Sequence, residues 1–401
     1  MHARIVVGLG VVAALAVWAL AACVGDSGGG GPQPAQGTEG GACFANGTCS
    51  GALKCVVPNL CVKPGDGGVN PADSSPGVDA SADASGVDAG DAAAPIPSSC
   101  AISGAGRTNC GAGSESCCTS LPVPGGTYNR TYSNDGGIPS AEADPATVGD
   151  FKLDKYEVTV GRFRQFVAAW NNGSGYTPPG GSGKHTHLNG GNGLNANGGG
   201  YEPGWAIGDN ANISPTNANL ACDASYATWT SAPGANEKRP INCENWYELA
   251  AFCIWDGGFL PSEAEWEYAA VAGAEERKFP WGTVDPGTTN QYAIYGCFFP
   301  SSSGTCSTAA NIAPVGTPTS GAGKYGQLDL AGNAYEWNLD WYKSTYASCT
   351  NCVNATPSIG GHLIRGGAFE YPSANFRPTS RGSQGATTRI FDLGGRCART
   401  P

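Results

Sequence analysis

Residues 328–342 read LDLAGNAYEWNLDWY, and this stretch decides the fold of the chain. Two carboxylates, Asp329 and Glu336, flank a tight turn that contains Gly332. Calcium takes about six to eight oxygen ligands, and the carboxylates and carbonyl groups around such a turn can converge on one ion. The stretch therefore suits a calcium loop, and an ordinary turn with solvated acids is the alternative.

Three further sequence blocks accompany this stretch along the chain. FLPSEAEWEYAA (259–270) precedes it, and IRGGAF (364–369) and GGRCAR (394–399) follow it. In their order and spacing, the four blocks resemble the formylglycine-generating enzyme, or sulfatase-modifying factor, family over roughly residues 120–399. The resemblance implies an α+β domain with a variant of the C-type lectin fold, which has few short helices, small irregular sheets and much loop.

The resemblance also implies the ligands of a structural calcium ion. The side chains of Asp329 and Glu336 and the backbone carbonyl groups of Gly332 and Ala334 match the family's oxygen donors. The family often has Asn where Asp329 stands, and Asp keeps the oxygen atom and adds charge. A second family site would lie near Ala293, where the expected Asn is missing, so only the first calcium site is predicted.

The cysteine pair on which the family's chemistry depends is missing from this chain. By resemblance, formylglycine-generating members bind copper(I) through two thiolates after the ArgGlyGly block, and copper(I) selects sulfur ligands. Tyr371 and Phe376 stand at the matching positions, and no cysteine occurs between Cys352 and Cys397. We therefore expect neither copper binding nor formylglycine generation, and we expect a pseudoenzyme.

The other cysteines of this region are expected to form disulfide bonds. The N-terminal signal described below predicts export, and cysteines of exported proteins usually form structural bridges. The resemblance implies a bridge between Cys253 and Cys397. Local pairs are also expected. Cys349 and Cys352 also have the CxxC spacing of redox motifs, but no thioredoxin-like βαβ pattern surrounds them. The expected local pairs are Cys297–Cys306 and Cys349–Cys352.

The first 23 residues have the pattern of a lipoprotein signal peptide. Arg4 supplies a positive charge, residues 5–20 are apolar, and small residues lead to Cys23. A run of small residues ending in Cys resembles a bacterial lipobox, which implies that Cys23 is lipidated; secretion with a free Cys23 is the alternative. We therefore expect an exported protein, lipid-anchored to the cell envelope at the outer membrane or the periplasmic face, with the membrane as a partner through that anchor.

Composition divides the rest of the chain into four parts. Residues 24–42 are a Gly- and Pro-rich flexible tether. Residues 43–61 carry four cysteines at a spacing of six, which predicts a small disulfide-rich module of open connectivity and, as the less favoured alternative, a metal site. Residues 62–98 are a disordered acidic linker, and residues 99–401 are the sulfatase-modifying-factor domain. The net charge of -11 argues against nucleic acid as a partner.

Three short helices are predicted in this domain from apolar spacing and capping residues. Asn245 is a plausible cap of the second helix, and Ser262 with Glu265 forms a capping box before the third. Glu263, Glu265 and Glu267 stand where acids complement the helix dipole, so capping is their expected role. The helices are expected near residues 163–170, 246–255 and 263–271.

Arginines and aromatic residues close to the ArgGlyGly block are candidates for a ligand groove. Such a combination makes a good recognition surface for peptides or glycans. By resemblance to the family's substrate groove, the candidate residues are Arg365, Glu370, Tyr371, Phe376, Arg377 and Arg381.

Three histidines outside the signal region could in principle bind a metal. His185 and His187 lie in the Gly- and Asn-rich residues 171–220, which we expect to be mostly loop, and His362 lies just before the ArgGlyGly block. An iron site, as in sulfoxide-synthase relatives, would need all three to converge. Solvated loop histidines are the favoured interpretation.

These features predict an envelope lipoprotein whose domain is a non-catalytic, calcium-binding recognition or scaffold module, with an envelope protein or a glycan as its ligand. The missing thiolates, the retained scaffold blocks and the tethered layout motivate this hypothesis. The alternative is an oxidase of the same family that acts on a peptide or another exported substrate. In that case Glu370, Tyr371 or Arg377 would take part.

Overall fold

The computed structural model describes residues 54–56, 60–62, 96–112 and 115–401. The chain divides into two units, residues 1–90 and 91–401. In the first unit, strands β1 (Lys54–Val56) and β2 (Leu60–Val62) pair antiparallel. The predicted signal peptide, Cys23, the tether and most of the disulfide-rich module and the acidic linker lie outside the described residues.

Four α-helices lie in the described part of the second unit, and local capping explains where three of them start. At the start of α1 (Val160–Trp170), the Thr159 side chain accepts a hydrogen bond from the backbone N–H of Arg162. Capping boxes built on Asn245 and Ser262 begin α3 and α4, as the sequence predicts. Within the described residues, no helix has the length and apolar character needed to cross a membrane. The helices are α1 (Val160–Trp170), α2 (Asn217–Leu220), α3 (Trp246–Trp255) and α4 (Glu263–Ala270).

The strands of the second unit are short and form small sheets, which confirms the predicted fold class. A four-stranded sheet has the order β12-β11-β8-β13, and two three-stranded sheets have the orders β14-β6-β3 and β4-β5-β9. A further pair, β10 and β7, is parallel. The strands are β3 (Ser120–Val123), β4 (Gly126–Ser133), β5 (Ser140–Val148), β6 (Phe151–Asp154), β7 (Asn195–Ala196), β8 (Tyr335–Trp341), β9 (Cys349–Thr350), β10 (Cys352–Val353), β11 (His362–Arg365), β12 (Gly382–Gln384), β13 (Leu393–Gly394) and β14 (Ala398–Arg399).

The largest core cluster joins α1, α3 and the four-stranded sheet. The rings of Phe163 and Phe252 stack with centroids 5.6 Å apart, and Trp337 of β8 is fully buried in the same cluster. A second cluster surrounds Trp266 of α4. The first cluster packs α1 and α3 against the four-stranded sheet, and the second packs α4 against strands of the two three-stranded sheets.

Disulfide bonds tie distant parts of this unit together. Cys253 of α3 is bonded to Cys397 near the C-terminus, 144 residues away, and this is the pair that the resemblance implies. Closing so long a loop restricts the unfolded chain and can stabilise the fold by on the order of 4 kcal/mol. The other pairs are Cys100–Cys118, Cys110–Cys117, Cys222–Cys243, Cys297–Cys306 and Cys349–Cys352.

Residues 171–220 are mostly loop, as predicted, but several of their side chains are buried. The segment holds three 3₁₀ helices, the helix α2 and the two-residue strand β7. Among its own residues, His185, Leu194 and Trp205 are buried. The loop is therefore packed onto the domain, and it forms one wall of the cavity described below.

Candidate functional site

Three of the four sequence blocks meet on the four-stranded sheet. Strand β8 lies between β11 and β13, so that Glu336 pairs with Arg365 on one side and with Gly394 on the other. The fourth block supplies α4, whose Trp266 donates its indole N–H to Glu336 Oε2 at 2.8 Å. Blocks that are far apart in the sequence therefore form one site around Glu336.

Arg365 of β11 is fully buried and forms ion pairs with two carboxylates of α4. Its Nη2 atom donates to Glu263 Oε1 at 2.6 Å and to Glu267 Oε2 at 3.0 Å, and Arg381 Nε donates to Glu263 Oε1 at 2.6 Å. Burial opposes the ionisation of Glu263, but the two guanidinium groups hold its pKa below the usual range. Burial raises the pKa of Glu267 to about 7, although Arg365 opposes this shift.

The three acids of α4 divide into two roles. Glu265 completes the capping box with Ser262, as predicted. The carboxylates of Glu263 and Glu267 neutralise Arg365, which lies 102 and 98 residues further along the chain. The capping interpretation is therefore incomplete for these two acids, because their partner is absent from the local sequence.

The structure separates the six predicted groove residues. Arg365 and Phe376 are fully buried, so neither lines an open groove here; Phe376 packs beside Phe279 in an aromatic cluster. Tyr371 is half-buried against Tyr335, Glu370 is half-buried, and Arg377 forms a surface ion pair with Asp135. Of the six, only Arg381 lines the small cavity of about 200 Å³ next to Tyr335, together with Ala374, Asn375 and Ser380.

The donor atoms around the missing cysteine pair do not suit copper(I). Tyr371 and Phe376 offer no sulfur, and Phe376 is sealed in the aromatic cluster. All twelve cysteines of residues 96–401 are consumed in the six disulfide bonds, so this region offers no thiolate. Copper(I) prefers thiolate ligands, and no step through copper follows from these residues.

The predicted calcium loop carries an excess of buried negative charge. Glu157, Asp329 and Glu336 are all buried, and one guanidinium, that of Arg396, donates to both oxygens of Glu336 at 2.6 and 2.8 Å. Burial raises the pKa of Glu157 well above the usual range, and Asp329 and Glu336 add to this shift. Burial also raises the pKa of Asp329 to about 6. Glu157 was not anticipated from the sequence, because it lies far from the loop along the chain.

The donor chemistry of this loop fits a hard cation at Asp329. Its Oδ2 accepts from Gly316 N at 2.6 Å, whereas its buried Oδ1 has no hydrogen-bond partner in the structure. A buried carboxylate oxygen without a partner is unfavourable, and calcium would satisfy it. Glu336 would share its carboxylate with Arg396, and Gly332 and Ala334 would add carbonyl oxygens.

The histidines do not converge. His185 is buried, with Nδ1 3.1 Å from Glu202 and Nε2 3.0 Å from Glu265, and His187 lies beside it. His362 is stacked on Trp246 with ring centroids 3.9 Å apart. Across residues 96–112 and 115–401, no group of three or more His, Cys, Asp or Glu side chains is placed to hold a metal. The expectation of solvated loop histidines is wrong for His185, because two carboxylates bind its ring, and for His362, which is buried on β11.

Comparison with known proteins places these features in a family. The family model for the sulfatase-modifying factor enzyme 1-like domain matches residues 109–401. The formylglycine-generating enzyme of Thermomonospora curvata is 25% identical over 308 residues, which cover 70% of this chain and 93% of that protein. The formylglycine-generating enzyme of Mus musculus is 26% identical, with 69% and 74% covered.

Two further similarities are more limited. The hercynine oxygenase of Mycobacterium tuberculosis is 29% identical over 149 residues, which cover 35% of this chain and 32% of that protein. Among solved structures, PvdO from Pseudomonas aeruginosa aligns with a TM-score of 0.46 and 20% identity, covering 70% of this chain and 94% of PvdO.

Removal of the Arg365 guanidinium tests the buried charge network. Arg365→Met leaves Glu263 and Glu267 buried without their shared partner, so we expect the free energy of unfolding to fall by about 3–5 kcal/mol. Arg377→Met is the matched control, because that exposed ion pair with Asp135 should contribute less than about 1 kcal/mol. Denaturant unfolding of both variants measures the difference. Equal losses in the two variants would contradict the network.

The pairing of His185 with two carboxylates predicts a pH-dependent contribution to stability. Burial opposes protonation of the ring, but Glu265 and Glu202 raise the pKa of His185 from 6.5 to about 10. Since the folded pKa exceeds the unfolded one, this stabilisation is complete below about pH 6.5 and is lost as the pH rises towards 10. The Tm difference between the wild type and His185→Gln should therefore shrink over this range. His187→Gln is the control, and a constant His185→Gln difference would contradict the assignment.

Proposed function

Because the chain belongs to the sulfatase-modifying factor enzyme 1-like family, we propose that it keeps the family scaffold as a non-catalytic recognition or scaffold module. One observation carries this proposal. The positions of the family's thiolate pair hold Tyr371 and Phe376, and every cysteine of residues 96–401 is in a disulfide bond. Residues 96–401 therefore offer no free thiolate for formylglycine generation.

The packing at these positions supports the same conclusion. Phe376 fills space between Phe279, Trp281 and Tyr295, with ring centroids 5.8, 6.3 and 5.0 Å away. A hydrophobic cluster of this kind excludes water and offers no ligand atom to a metal. The buried ion pair of Glu336 with Arg396 joins two of the family's sequence blocks.

An exported, lipid-anchored location completes this proposal. The apolar N-terminal segment ending in Cys23 supports it, together with the acidic linker that would hold the domain away from the membrane. The ligand would be an envelope protein or a glycan.

A second candidate function is an oxidase that acts on a peptide or another exported substrate. It is supported by the relatives, which include formylglycine-generating enzymes and a hercynine oxygenase. In this chain it would use Glu370, Tyr371 or Arg377 close to the cavity beside Tyr335. Burial raises the pKa of Glu370, and Asp392 adds to the shift. An oxygen-dependent product that disappears on substitution of these residues would favour this function.

Calcium is the structural cofactor of the proposed module, held by Asp329 and Glu336 with carbonyls of Gly332 and Ala334. We expect the Tm to be several degrees higher in excess calcium than in EDTA, because a ligand that binds only the folded state stabilises it. Asp329→Ala, which removes the side-chain oxygen ligands, should reduce the shift. Asp285→Asn, an exposed acid paired with Lys278, is the control and should keep it. An unchanged wild-type Tm would argue against a calcium site.

Mass spectrometry of a Cys-x-Pro-x-Arg peptide tests the absence of formylglycine-generating activity. The purified full chain, supplied with copper(I) and oxygen, should leave the cysteine unchanged, because it has no thiolate pair to bind copper. The formylglycine-generating enzyme of Streptomyces coelicolor serves as the positive control. Conversion of the cysteine to formylglycine by this chain would overturn the proposal.

A further inference from the structure

A second cavity, of about 310 Å³, lies between α3, β8, β11 and the loop segment 182–209. It shares no lining residue with the cavity beside Tyr335. Its volume is at the lower end of the range for small-molecule sites, which is about 300–1,000 Å³. Any ligand bound here would be independent of the catalytic status of the domain, so the following inference goes beyond the proposed function.

Aromatic rings form much of the wall of this cavity. Trp246 and Tyr247 meet edge-to-face with centroids 5.3 Å apart, and Trp205 meets Tyr247 in the same way at 6.4 Å. Trp341 also lines the cavity. The indole N–H groups of Trp205 and Trp246 donate to Asn210 Oδ1 and Asn338 O, so these two rings have no free donor to offer a ligand. They present carbon and π-electron surface instead.

The charges around the cavity are acidic. Glu202 and Asp209 are among the lining residues, which include no lysine or arginine. Glu202 is paired with His185, which Glu265 also contacts, so this buried group has two carboxylates for one imidazolium. Within the described residues Asp209 forms no ion pair, and burial raises its pKa. An aromatic wall with this negative charge favours a cation.

His362 is among the lining residues and carries a hydrogen-bond acceptor without a partner. It is 2% exposed and lies between Trp246 and Trp341, with ring centroids 3.9 and 4.0 Å away. Its Nδ1 lies 3.1 Å from Leu339 O and therefore carries the proton, which leaves Nε2 as an acceptor. Nε2 is buried and has no partner in the structure. A buried acceptor without a donor is unfavourable, so a ligand with a hydroxyl group would satisfy it.

We propose that this cavity binds a small quaternary ammonium compound that carries a hydroxyl group. The aromatic rings attract the cation through their π faces, Asp209 supplies the opposite charge, and Nε2 of His362 accepts from the hydroxyl. Burial lowers the pKa of His362 to about 3. The ring is therefore neutral at pH 7 and does not repel the cation.

Three probes of matched shape separate the contribution of the positive charge from that of the hydroxyl group. Isothermal titration calorimetry of the full chain is carried out with choline, with 3,3-dimethylbutan-1-ol, which replaces the nitrogen by carbon, and with n-propyltrimethylammonium, which lacks the hydroxyl. We expect choline to bind about tenfold more tightly than the neutral alcohol. It should bind several-fold more tightly than the ammonium compound without a hydroxyl.

Variants locate the binding in this cavity. Asp209→Asn should lower the affinity for choline several-fold and leave the affinity for the neutral alcohol unchanged. His362→Phe keeps an aromatic ring and should abolish the preference for choline over n-propyltrimethylammonium. Glu142→Gln removes one exposed charge outside the cavity and is the control. Melting curves confirm that each variant is folded. Absence of choline binding, equal affinity for choline and the neutral alcohol, or binding unaffected by both cavity variants would each overturn the inference.

Discussion

The ion pair between Glu336 and Arg396 is the interaction on which the rest of the domain depends. Both side chains are fully buried, and Arg396 also donates to the carbonyl oxygens of Asp154, Lys155 and Leu328. One guanidinium therefore connects β8, the end of β6 and Leu328, which directly precedes Asp329 of the predicted calcium loop. An unpaired charge at this depth would be strongly destabilising, so the chain segments around it have little freedom to move.

The disulfide between Cys253 and Cys397 acts at the same place. Cys397 follows Arg396 directly, and its partner lies in α3, so the C-terminal block is held covalently as well as electrostatically. Where the family resemblance predicts two thiolates, this chain has Tyr371 and Phe376, and neither residue belongs to the Glu336–Arg396 ion pair or to the Cys253–Cys397 disulfide.

Arg365 illustrates how a residue of a recognisable block can differ from its expected role. The sequence suggests a groove arginine, whereas the structure gives it two buried carboxylates from α4. Of the six predicted groove residues, only Arg381, which is partly exposed, lines the cavity next to Tyr335. The aromatic cavity lies elsewhere, under the loop that contains Trp205; this loop carries no sequence block of the family, whereas Leu260 and Trp341 on the other side of the cavity do belong to such blocks.

The sequence by itself determined the fold class, the starts of α3 and α4, the lack of any cysteine between Cys352 and Cys397 and, by resemblance, the partner of Cys253. These features depend on capping residues, on the order of the blocks or on residue identity, and all of them can be read along the chain. Only the tertiary structure decided that Glu263 and Glu267 neutralise Arg365 and that His185 lies between two carboxylates. Such partners are brought together from distant segments by packing, and burial, which sets their charge, has no local signature in the sequence.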